Sequence, residues 1–378
     1  MRILGIITGW ASNKYRELHD AYGGVDYYRI VKPLDVIGQE HIGKKITKFP
    51  NYDEVVKGYD IVVTKPVSNV AGFKLLYACK QAGVKLVIDL DDNPFESRVN
   101  QDSYATLAPG TEGRAFVGAN LSLADAIICS TVPLKEYIED WLEKVHKIKV
   151  PIYLSPNYID PKDFNFKKAE KKNDKIIIGY PGSTSHNDDL KYVMPALVEI
   201  LKKNKNVEVE LVGSIDDKKK DIAFGGMDTS KELFDRIFIS PGTMAFDNYP
   251  LMLSTKTWDI GIAPLINDEF NRNKSHIKWM EYAMYKVPCV ASNVYPYVEP
   301  IDGKDTVKHM KTGLIARSKR EWVKYLQLLI DNENLRKRIG ENAYKYVTEN
   351  WTWDKDKIQG IYDEIYKLPI KKISDYIK

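Results

Sequence analysis

The sequence predicts an α/β protein of two domains. The chain has 378 residues, 44% of them hydrophobic, and is longer than most single domains. In the first half, short apolar runs alternate with segments of helical periodicity, which is typical of a parallel sheet covered by helices on both faces. From Asn165 to Asp174 the apolar pattern lapses in the charged stretch NFKKAEKKND. We expect the domain boundary there, with the first domain ending at residue 165.

The first half begins with strands and one well-marked helix. We predict strands at Arg2–Thr8, Tyr59–Thr64 and Val84–Asp89, because each is a short apolar run. The helix Val70–Ala82 ends at Gly83, a residue type that closes helices in the left-handed conformation at little cost. The carboxyl ends of such parallel strands form the usual ligand-binding edge of the sheet.

A glycine pair, Gly23 and Gly24, follows the first strand. Because glycine has no Cβ, the backbone here is able to approach a ligand closely, and a phosphate is one such ligand. A simple flexible turn explains the pair equally well.

Three carboxylates, Asp89, Asp91 and Asp92, follow the predicted strand Val84–Asp89 at the ligand-binding edge. A carboxylate pair in this position is able to orient a substrate hydroxyl or to help take its proton. The alternative is a polar loop that turns the chain and caps a helix.

The rest of the first half contains one more strand and a helix. Ser122–Ser130 is a passage from a helix to a strand, and Thr131 with Pro133 opens the helix LKEYIEDWLEKV. The segment PNYIDPKDF then leads out towards the domain boundary.

The second half opens with the strand Lys175–Tyr180 and a polar loop that contains Gly182, Ser183 and Thr184. His186 follows, and we interpret it as a loop or helix-start residue rather than a catalyst. Further strands are predicted at Val207–Gly213 and Ile237–Ser240, with Tyr249 before the next helix.

The most informative segment runs from the strand Asp259–Leu265 to Pro288 and the strand beyond it. Helical spacing of apolar residues predicts a helix from about Lys274 to Tyr285, with Asn273 or Ser275 capping its first turn. A helix N-terminus just beyond a strand presents free N–H groups and a positive dipole end, a natural seat for a diphosphate.

Three charged side chains lie on this predicted helix. Lys274 adds a positive charge at the start of the helix. Glu281 lies two turns further on, where a carboxylate is able to accept two ribose hydroxyls. Lys278 lies between these two residues. An ordinary amphipathic helix with a solvated charged face is the alternative.

These residues resemble the donor-site helix of retaining glycosyltransferases of the GT-B fold, of the family 4 or group 1 type. That family has two glutamates eight positions apart, the first near the donor sugar and the second on the ribose. Glu281 matches the second glutamate, and Asn273 occupies the place of the first. Some subgroups carry an F-N-x-x-K-S-x-x-K-x-x-E-Y variant, which this chain matches at Phe270, Asn271, Lys274, Ser275, Lys278, Glu281 and Tyr282.

The resemblance implies two Rossmann-like domains that face each other across a cleft. The first, residues 1–165, would bind the acceptor, and the second, 166–350, a UDP- or GDP-sugar. Residues 351–378 would carry a helix, Lys355–Lys367, that crosses back to the first domain. The implied reaction is transfer of the sugar with retention, with UDP or GDP as product and no separate cofactor.

The resemblance also assigns roles to individual residues. Donor contacts are expected from Gly23, Gly24, Gly182, Ser183, Thr184, Asn273, Lys274, Ser275, Lys278 and Glu281. Asp91 and Asp92 are expected to serve the acceptor hydroxyl, and Lys274 the departing diphosphate. The stretch Asp89-Leu90-Asp91 superficially matches the Asp-x-Asp motif that chelates a divalent ion in the other large class of glycosyltransferases. No metal ion is expected here, because this stretch lies in the first half of the chain, away from the nucleotide residues.

Composition limits the remaining possibilities. The net charge is +4, and the first 163 residues carry 20 Lys or Arg against 21 Asp or Glu, which argues mildly against a DNA acceptor. Three cysteines lie far apart in apolar patterns, as in a reducing compartment, and neither a membrane span nor a secretory signal is seen, so we expect a cytoplasmic protein. A glycan, a lipid-linked sugar, a protein or modified DNA remains open as the acceptor. A binding module with the same fold and no activity is the alternative from another functional class.

Overall fold

Two parallel β-sheets of six strands organise the chain. The computed structural model describes residues 1–7, 22–42, 51–96, 105–183, 186–214, 231–242 and 245–371. The strands of the first sheet are β1 Ile3–Ile6, β2 Glu40–Ile42, β3 Ile61–Thr64, β4 Lys85–Leu90, β5 Ala126–Cys129 and β6 Ile152–Leu154. Those of the second are β7 Ile176–Pro181, β8 Val207–Val212, β9 Ile237–Ser240, β10 Ile260–Ala263, β11 Cys289–Ser292 and β12 Leu314–Ala316.

The strand order of both sheets is that of doubly wound domains. It is β2-β1-β3-β4-β5-β6 in the first and β12-β11-β10-β7-β8-β9 in the second, with every neighbouring pair parallel. The predicted fold class, two Rossmann-like domains, is confirmed. The direction of winding reverses between β1 and β3 and between β7 and β10. Ligands bind such sheets at the carboxyl ends beside these reversals.

Helices cover both sheets. In the first half they are Gly24–Asp26, the π-helical Tyr27–Val31, Lys32–Val36, Tyr52–Val56, Val70–Ala82, the 3₁₀ turn Ala105–Leu107, Glu112–Leu123, Val132–Trp141, the π-helical Leu142–His146 and the 3₁₀ turn Pro161–Phe164. In the second half they are Asn187–Lys203, Lys231–Phe234, the 3₁₀ turn Phe246–Asn248, Tyr249–Ser254, Glu269–Arg272, Ile277–Met284, Tyr295–Val298, Lys319–Asp331, Glu333–Asn350 and Lys355–Lys367.

Local sequence explains several of these elements. All four residues of β3, IVVT, are buried, and three of them are β-branched aliphatic side chains that suit a sheet covered on both faces. The Asn69 side chain caps the helix Val70–Ala82 by accepting bonds from the N–H groups of Ala71 and Gly72, and Gly83 ends it with a φ of 67°. The helix is therefore formed as predicted, whereas Thr8, the predicted end of the first strand, lies outside the described residues.

The last helix, Lys355–Lys367, returns to the first sheet. Its buried side chains are Ile358, Tyr362 and Ile365. Beyond it, the backbone N–H of Lys371 donates to Asp125 Oδ1 at 3.0 Å, and the other oxygen of this carboxylate lies 2.6 Å from the buried ammonium of Lys80. The predicted crossover to the first domain is therefore confirmed.

Direct hydrogen bonds hold the two domains against each other at the edge of the cleft. The Thr131 hydroxyl donates to the carbonyl oxygen of Asn273 at 2.8 Å, and the N–H of Phe246 donates to that of Tyr22 at 2.8 Å. One apolar cluster also runs from β1 through Tyr158 to Trp279 and Trp351. In the part of the chain that the structure describes, no helix is both long and apolar enough to cross a bilayer.

Candidate active site

Two cavities open where the carboxyl ends of the sheets face each other. The interdomain cavity has a volume of about 390 Å³ and takes its walls from both domains, among them Gly24, Tyr28, Gly182, His186, Lys278 and Glu281. The first-domain cavity, of about 240 Å³, lies beside it among the loops after β3 and β4. Val25 and Asp91 line both, so the two spaces are neighbours.

Glycines after three adjacent strands form one wall of the interdomain cavity. A Cβ on Gly213, whose φ is 74°, would lie 2.7 Å from the carbonyl oxygen of Gly182 and 3.1 Å from the Cα of Gly242. A Cβ on Gly182 would meet the Tyr180 ring at 2.7 Å. Gly213 and Gly242 are therefore required by the close packing of the loops on one another, and Gly182 by the ring of Tyr180.

Gly24 differs from these glycines, because a Cβ there would meet no atom of the described residues within 4 Å. It lies at the start of the first helical turn and lines the interdomain cavity. Packing among the described residues therefore does not require glycine at this position. Its partner Gly23 caps the same turn with its carbonyl oxygen, which accepts a bond from the N–H of Tyr27 at 3.0 Å.

Glu281 lies at the interdomain cavity with only 6% of its surface exposed. Its two carboxylate oxygens accept bonds from two tyrosine hydroxyls, from Tyr28 of the first domain at 3.1 Å and from Tyr249 of the second at 2.8 Å. Burial raises the pKa of Glu281, although Lys278 and the two hydroxyls act in the opposite direction. Each carboxylate oxygen thus accepts a bond from one tyrosine hydroxyl.

The two lysines of this region have different partners. Lys278 lines the interdomain cavity, and its ammonium donates to the carbonyl oxygen of Pro181 at 2.6 Å. Burial lowers the pKa of Lys278. The ammonium of Lys274 instead bonds to Asp92 Oδ1 of the first domain at 3.0 Å and lies 4.4 Å from the centre of the Phe270 ring. Lys274 thus bridges the cleft from the second domain to the acidic loop of the first.

The helix that carries Lys278 and Glu281 begins at Ile277, three residues later than the sequence predicts, so Lys274 lies before this helix and not at its start. Neither Asn273 nor Ser275 caps it. The Ser275 hydroxyl accepts a bond from Asn157 Nδ2 at 2.9 Å, and the N-cap position is taken by His276, which is fully buried with its ring 4.1 Å from that of Trp351. The predicted start was wrong because contacts with other parts of the chain determine the path of residues 273–276.

The acidic loop after β4 holds three carboxylates in different surroundings. Asp89 is buried in a two-pronged ion pair with Arg29, with N–O distances of 2.6 and 3.1 Å, and burial raises its pKa to about 6. Asp92 pairs with Lys274. Asp91 lines both cavities, and burial together with the charge of Asp92 raises its pKa. Of the three, Asp91 is the one placed between the two cavities.

Asn157 connects these groups. Its side-chain oxygen accepts a bond from Arg29 at 2.8 Å, and its amide nitrogen donates to Asp91 Oδ1 and to the Ser275 hydroxyl, both at 2.9 Å. The amide therefore fixes the Asp91 carboxylate and ties it to the second domain.

His186 precedes the helix Asn187–Lys203 at the N-cap position, as the sequence indicates, and it also lines the interdomain cavity. Its ring nitrogen Nδ1 lies 3.0 Å from the carboxylate of Asp189. Burial lowers the pKa of His186 to about 4, with the charges of Lys274 and Lys278 acting in the same direction.

The second half of the chain matches a known family. The sequence model described as glycosyl transferases group 1 matches residues 161–346, a range that includes the glycine wall, Lys278 and Glu281. The chain carries a group 1 glycosyltransferase domain. No curated protein matches the sequence.

Solved structures show that the chain has the two-domain GT-B fold. HepE from Anabaena in complex with UDP-glucose has a TM-score of 0.65 at 13% identity, with 97% of this chain and 100% of that chain covered. Sucrose-phosphate synthase from Thermosynechococcus elongatus has a TM-score of 0.61 at 16% identity, with 97% and 98% covered. TarM has a TM-score of 0.58 at 13% identity over 84% of this chain, which spans 57% of the TarM chain.

Several predicted donor residues are not seen to line the interdomain cavity. Asn273 is fully buried, lines neither cavity and donates to the backbone and the side chain of Glu269 through its amide nitrogen. The amide nitrogen of Asn273 is therefore directed at Glu269, and the expected contact of this amide with the donor sugar finds no support in the structure. Gly23 lines neither cavity. Ser183 lines the interdomain cavity, while Thr184 lies outside the described residues.

Sequence reasoning missed three side chains of the candidate site. Tyr28 and Arg29 lie in a π-helical turn of the first domain, and Asn157 lies in the segment leading to the second. The signal for Asn157 was its place in the PNYID segment between the domains. No local pattern marks Tyr28, because its partner Glu281 is 253 residues away.

Proposed function

We propose that this chain transfers a sugar from a nucleotide-sugar donor to an acceptor hydroxyl, with the donor in the interdomain cavity. The family match supports the reaction type, and HepE was crystallised with UDP-glucose. The observation that carries the proposal is the cavity itself. Its volume of about 390 Å³ suits a small-molecule ligand, and its lining combines a carboxylate that accepts two hydroxyls with a partly buried lysine and a wall of glycine loops.

In this proposal Glu281 binds the ribose. The hydroxyls of Tyr28 and Tyr249 already occupy both carboxylate oxygens, which leaves each oxygen a further lone pair for a ribose hydroxyl. Lys278, Gly182, Ser183 and the backbone at Gly24 would then surround the diphosphate.

Lys274 and the Asp91–Asp92 pair would act where the two domains meet. Lys274 offsets charge on the departing diphosphate while its salt bridge with Asp92 keeps the domains closed. Asp91, held by Asn157 between the cavities, is placed to orient the attacking hydroxyl or to take its proton, and its raised pKa favours proton acceptance. By resemblance to the family, we propose transfer with retention of configuration.

The first-domain cavity is our candidate acceptor site. Three of the four charged residues among its described lining residues form ion pairs. Lys65 lies 2.7 Å from the buried Asp26. Asp89 pairs with Arg29, and Asp92 pairs with Lys274. The remaining charge is the carboxylate of Asp91. A negatively charged pocket favours a neutral hydroxyl compound over an anionic one. A sugar hydroxyl of a glycan therefore fits better than the phosphate-rich backbone of DNA.

We assign the acceptor side to residues 1–165, the donor side to residues 166–350 and the crossover segment to 351–378. The proposed reaction needs two substrates and no cofactor. It also needs no metal ion, because helix N-termini and lysines are able to offset the diphosphate charge. The ion pairs that Asp89 and Asp92 form support this, since they draw two of the three carboxylates away from chelation.

Isothermal titration with a panel of UDP- and GDP-sugars, followed by measurement of nucleotide release with simple sugars as acceptors, tests the proposal. Binding together with acceptor-dependent release of UDP or GDP is expected, and proton NMR of the product reports the anomeric configuration. Binding without turnover would favour an inactive binding module. Absence of binding across the panel would contradict the proposal.

A further inference from the structure

His186 and Asp189 form a pair at the wall of the interdomain cavity that the proposed function does not yet use. Asp189 is fully buried. One carboxylate oxygen accepts bonds from the N–H of Ile266 at 2.9 Å and from the amide of Asn271 at 2.8 Å, and the other lies 3.0 Å from His186 Nδ1. These partners fix the position of the carboxylate.

This arrangement determines which nitrogen of His186 faces the ligand space. A carboxylate only accepts, so Nδ1 carries the hydrogen and donates to Asp189. Among the residues that the structure describes, Nε2 has no hydrogen-bond partner. The side chain lines the cavity and keeps 15% of its surface exposed. Nε2 is therefore the atom available to a ligand.

The charges around the ring favour the neutral form. Lys274 and Lys278 are the cations near it, and the Tyr180 ring packs edge-on at 6.4 Å. On its own helix, Asp188 is turned towards Lys191, 3.3 Å away, which leaves Asp189 as the acidic partner of the ring. Burial and the two lysines lower the pKa of His186 to about 4. A neutral imidazole with its hydrogen on Nδ1 presents a lone pair at Nε2, which does not bind a phosphate oxygen.

We propose that a diphosphate in the interdomain cavity binds together with a proton on His186. The diphosphate of a nucleotide sugar carries two negative charges, which offset those of Lys274 and Lys278 and reverse the local field. A proton from solvent then adds to Nε2, and this N–H donates to a phosphate oxygen while Asp189 stabilises the imidazolium ring. No covalent bond changes, and the proton returns to solvent when the nucleotide leaves. This inference rests on the proposed function and makes His186 a binding residue for the donor.

The pH dependence follows from the sign of this coupling. Because the complex binds the proton more tightly than the free protein, donor affinity increases as the pH falls from 8 to 6. One coupled proton changes the dissociation constant by at most tenfold per pH unit. His186→Gln cannot take up a proton, so its donor affinity should be lower at pH 6 and nearly independent of pH.

Isothermal titration of UDP-glucose at pH 6.5, in two buffers with different enthalpies of ionisation, measures the proton uptake directly. UDP-glucose suits this test because both of its phosphate groups stay ionised throughout this range. The wild type should take up a measurable fraction of a proton per bound donor, and His186→Gln none. His41→Gln is the matched control, since His41 also pairs with an aspartate, Asp35, at 3.1 Å but lines neither cavity. It should behave as the wild type does.

The outcomes separate this inference from the proposed function. Donor binding without proton uptake, or equal uptake by His186→Gln and the wild type, would overturn the inference and leave the proposed function standing. A loss of affinity in His186→Gln that is the same at pH 6 and pH 8 would also overturn it, because a merely structural role predicts that result. If neither UDP-glucose nor any other UDP- or GDP-sugar binds the wild type, both the proposed function and this inference fail.

Discussion

Replacing Glu281 by glutamine should weaken donor binding without weakening the fold. Glutamine keeps the size of the side chain and one acceptor oxygen, but it loses the charge and replaces the second oxygen with an amide group. One ribose hydroxyl then loses its acceptor, and the other keeps only an uncharged one. A hydrogen bond to a charged group contributes about 1.5–3 kcal/mol, which corresponds to an increase of roughly 12- to 160-fold in the dissociation constant.

The stability of the same variant should change in the opposite direction. Burial raises the pKa of Glu281 in the folded state, so the folded protein favours the protonated form. The associated stability is present below the unfolded pKa of about 4.3 and is lost as the pH rises through the folded pKa. At pH 7.5 the wild type therefore bears the unfavourable burial of a carboxylate, which Glu281→Gln removes. We expect the melting temperature of the variant, relative to the wild type, to be higher at pH 7.5 than at pH 4.5.

Titration calorimetry with UDP- and GDP-sugars measures the first effect, and thermal melts followed by circular dichroism at the two pH values measure the second. Glu341→Gln is a suitable control, because Glu341 is 58% exposed and pairs with Lys286 away from both cavities. Wild-type donor affinity in Glu281→Gln would refute the ribose assignment. A difference in melting temperature between variant and wild type that is the same at both pH values, or lower at pH 7.5 than at pH 4.5, would refute the electrostatic argument.

Three further predictions follow from the same geometry. Gly24→Ala should weaken donor binding by about 1–3 kcal/mol, because the new methyl group enters the cavity. Gly360→Ala is the control, since a Cβ there also meets no described atom and lies away from both cavities, and it should bind the donor as the wild type does. Equal donor affinities of Gly24→Ala and the wild type in titration would contradict a close approach of the donor to the backbone at Gly24. Lys274→Ala should reduce both turnover and donor affinity in steady-state kinetics, and each loss should correspond to about 1.5–3 kcal/mol of free energy. Lys286→Ala, at an exposed site, serves as the control. Unchanged kinetics of Lys274→Ala would show that another residue contacts the phosphate. Activity should survive excess EDTA, and a loss of activity in EDTA that Mn²⁺ restores would show that a metal is required. Asp91→Asn should raise the KM for the acceptor more than it raises the dissociation constant of the donor.

Local sequence was sufficient for most of the fold. The strands and the helix Val70–Ala82 were predictable because alternation of apolar runs, an asparagine cap and a closing glycine all act within a few residues. The start of the helix Ile277–Met284 was not, because Asn157 and Trp351 determine the path of residues 273–276 from distant parts of the chain.

The site was predictable only on one side. Glu281 and Lys278 lie at the cavity as their spacing on one helix face suggests. The residues that meet them from the first domain, above all Tyr28, depend on how the domains approach each other, and no periodicity encodes that approach. Asn273 shows the reverse case, since its position in a family motif suggested a ligand contact while its amide bonds to the preceding turn.

The return of the last helix to the first sheet affects how the protein folds during synthesis. Ile358, Tyr362 and Ile365 complete the apolar packing of the first domain, yet Lys355 leaves the ribosome 201 residues after Leu154, the end of the first sheet. At typical rates of translation this separates the two events by roughly 10–40 s. During that interval the first domain has its sheet but not its last helix, and the apolar surface that this helix covers is open to chaperones or to other chains.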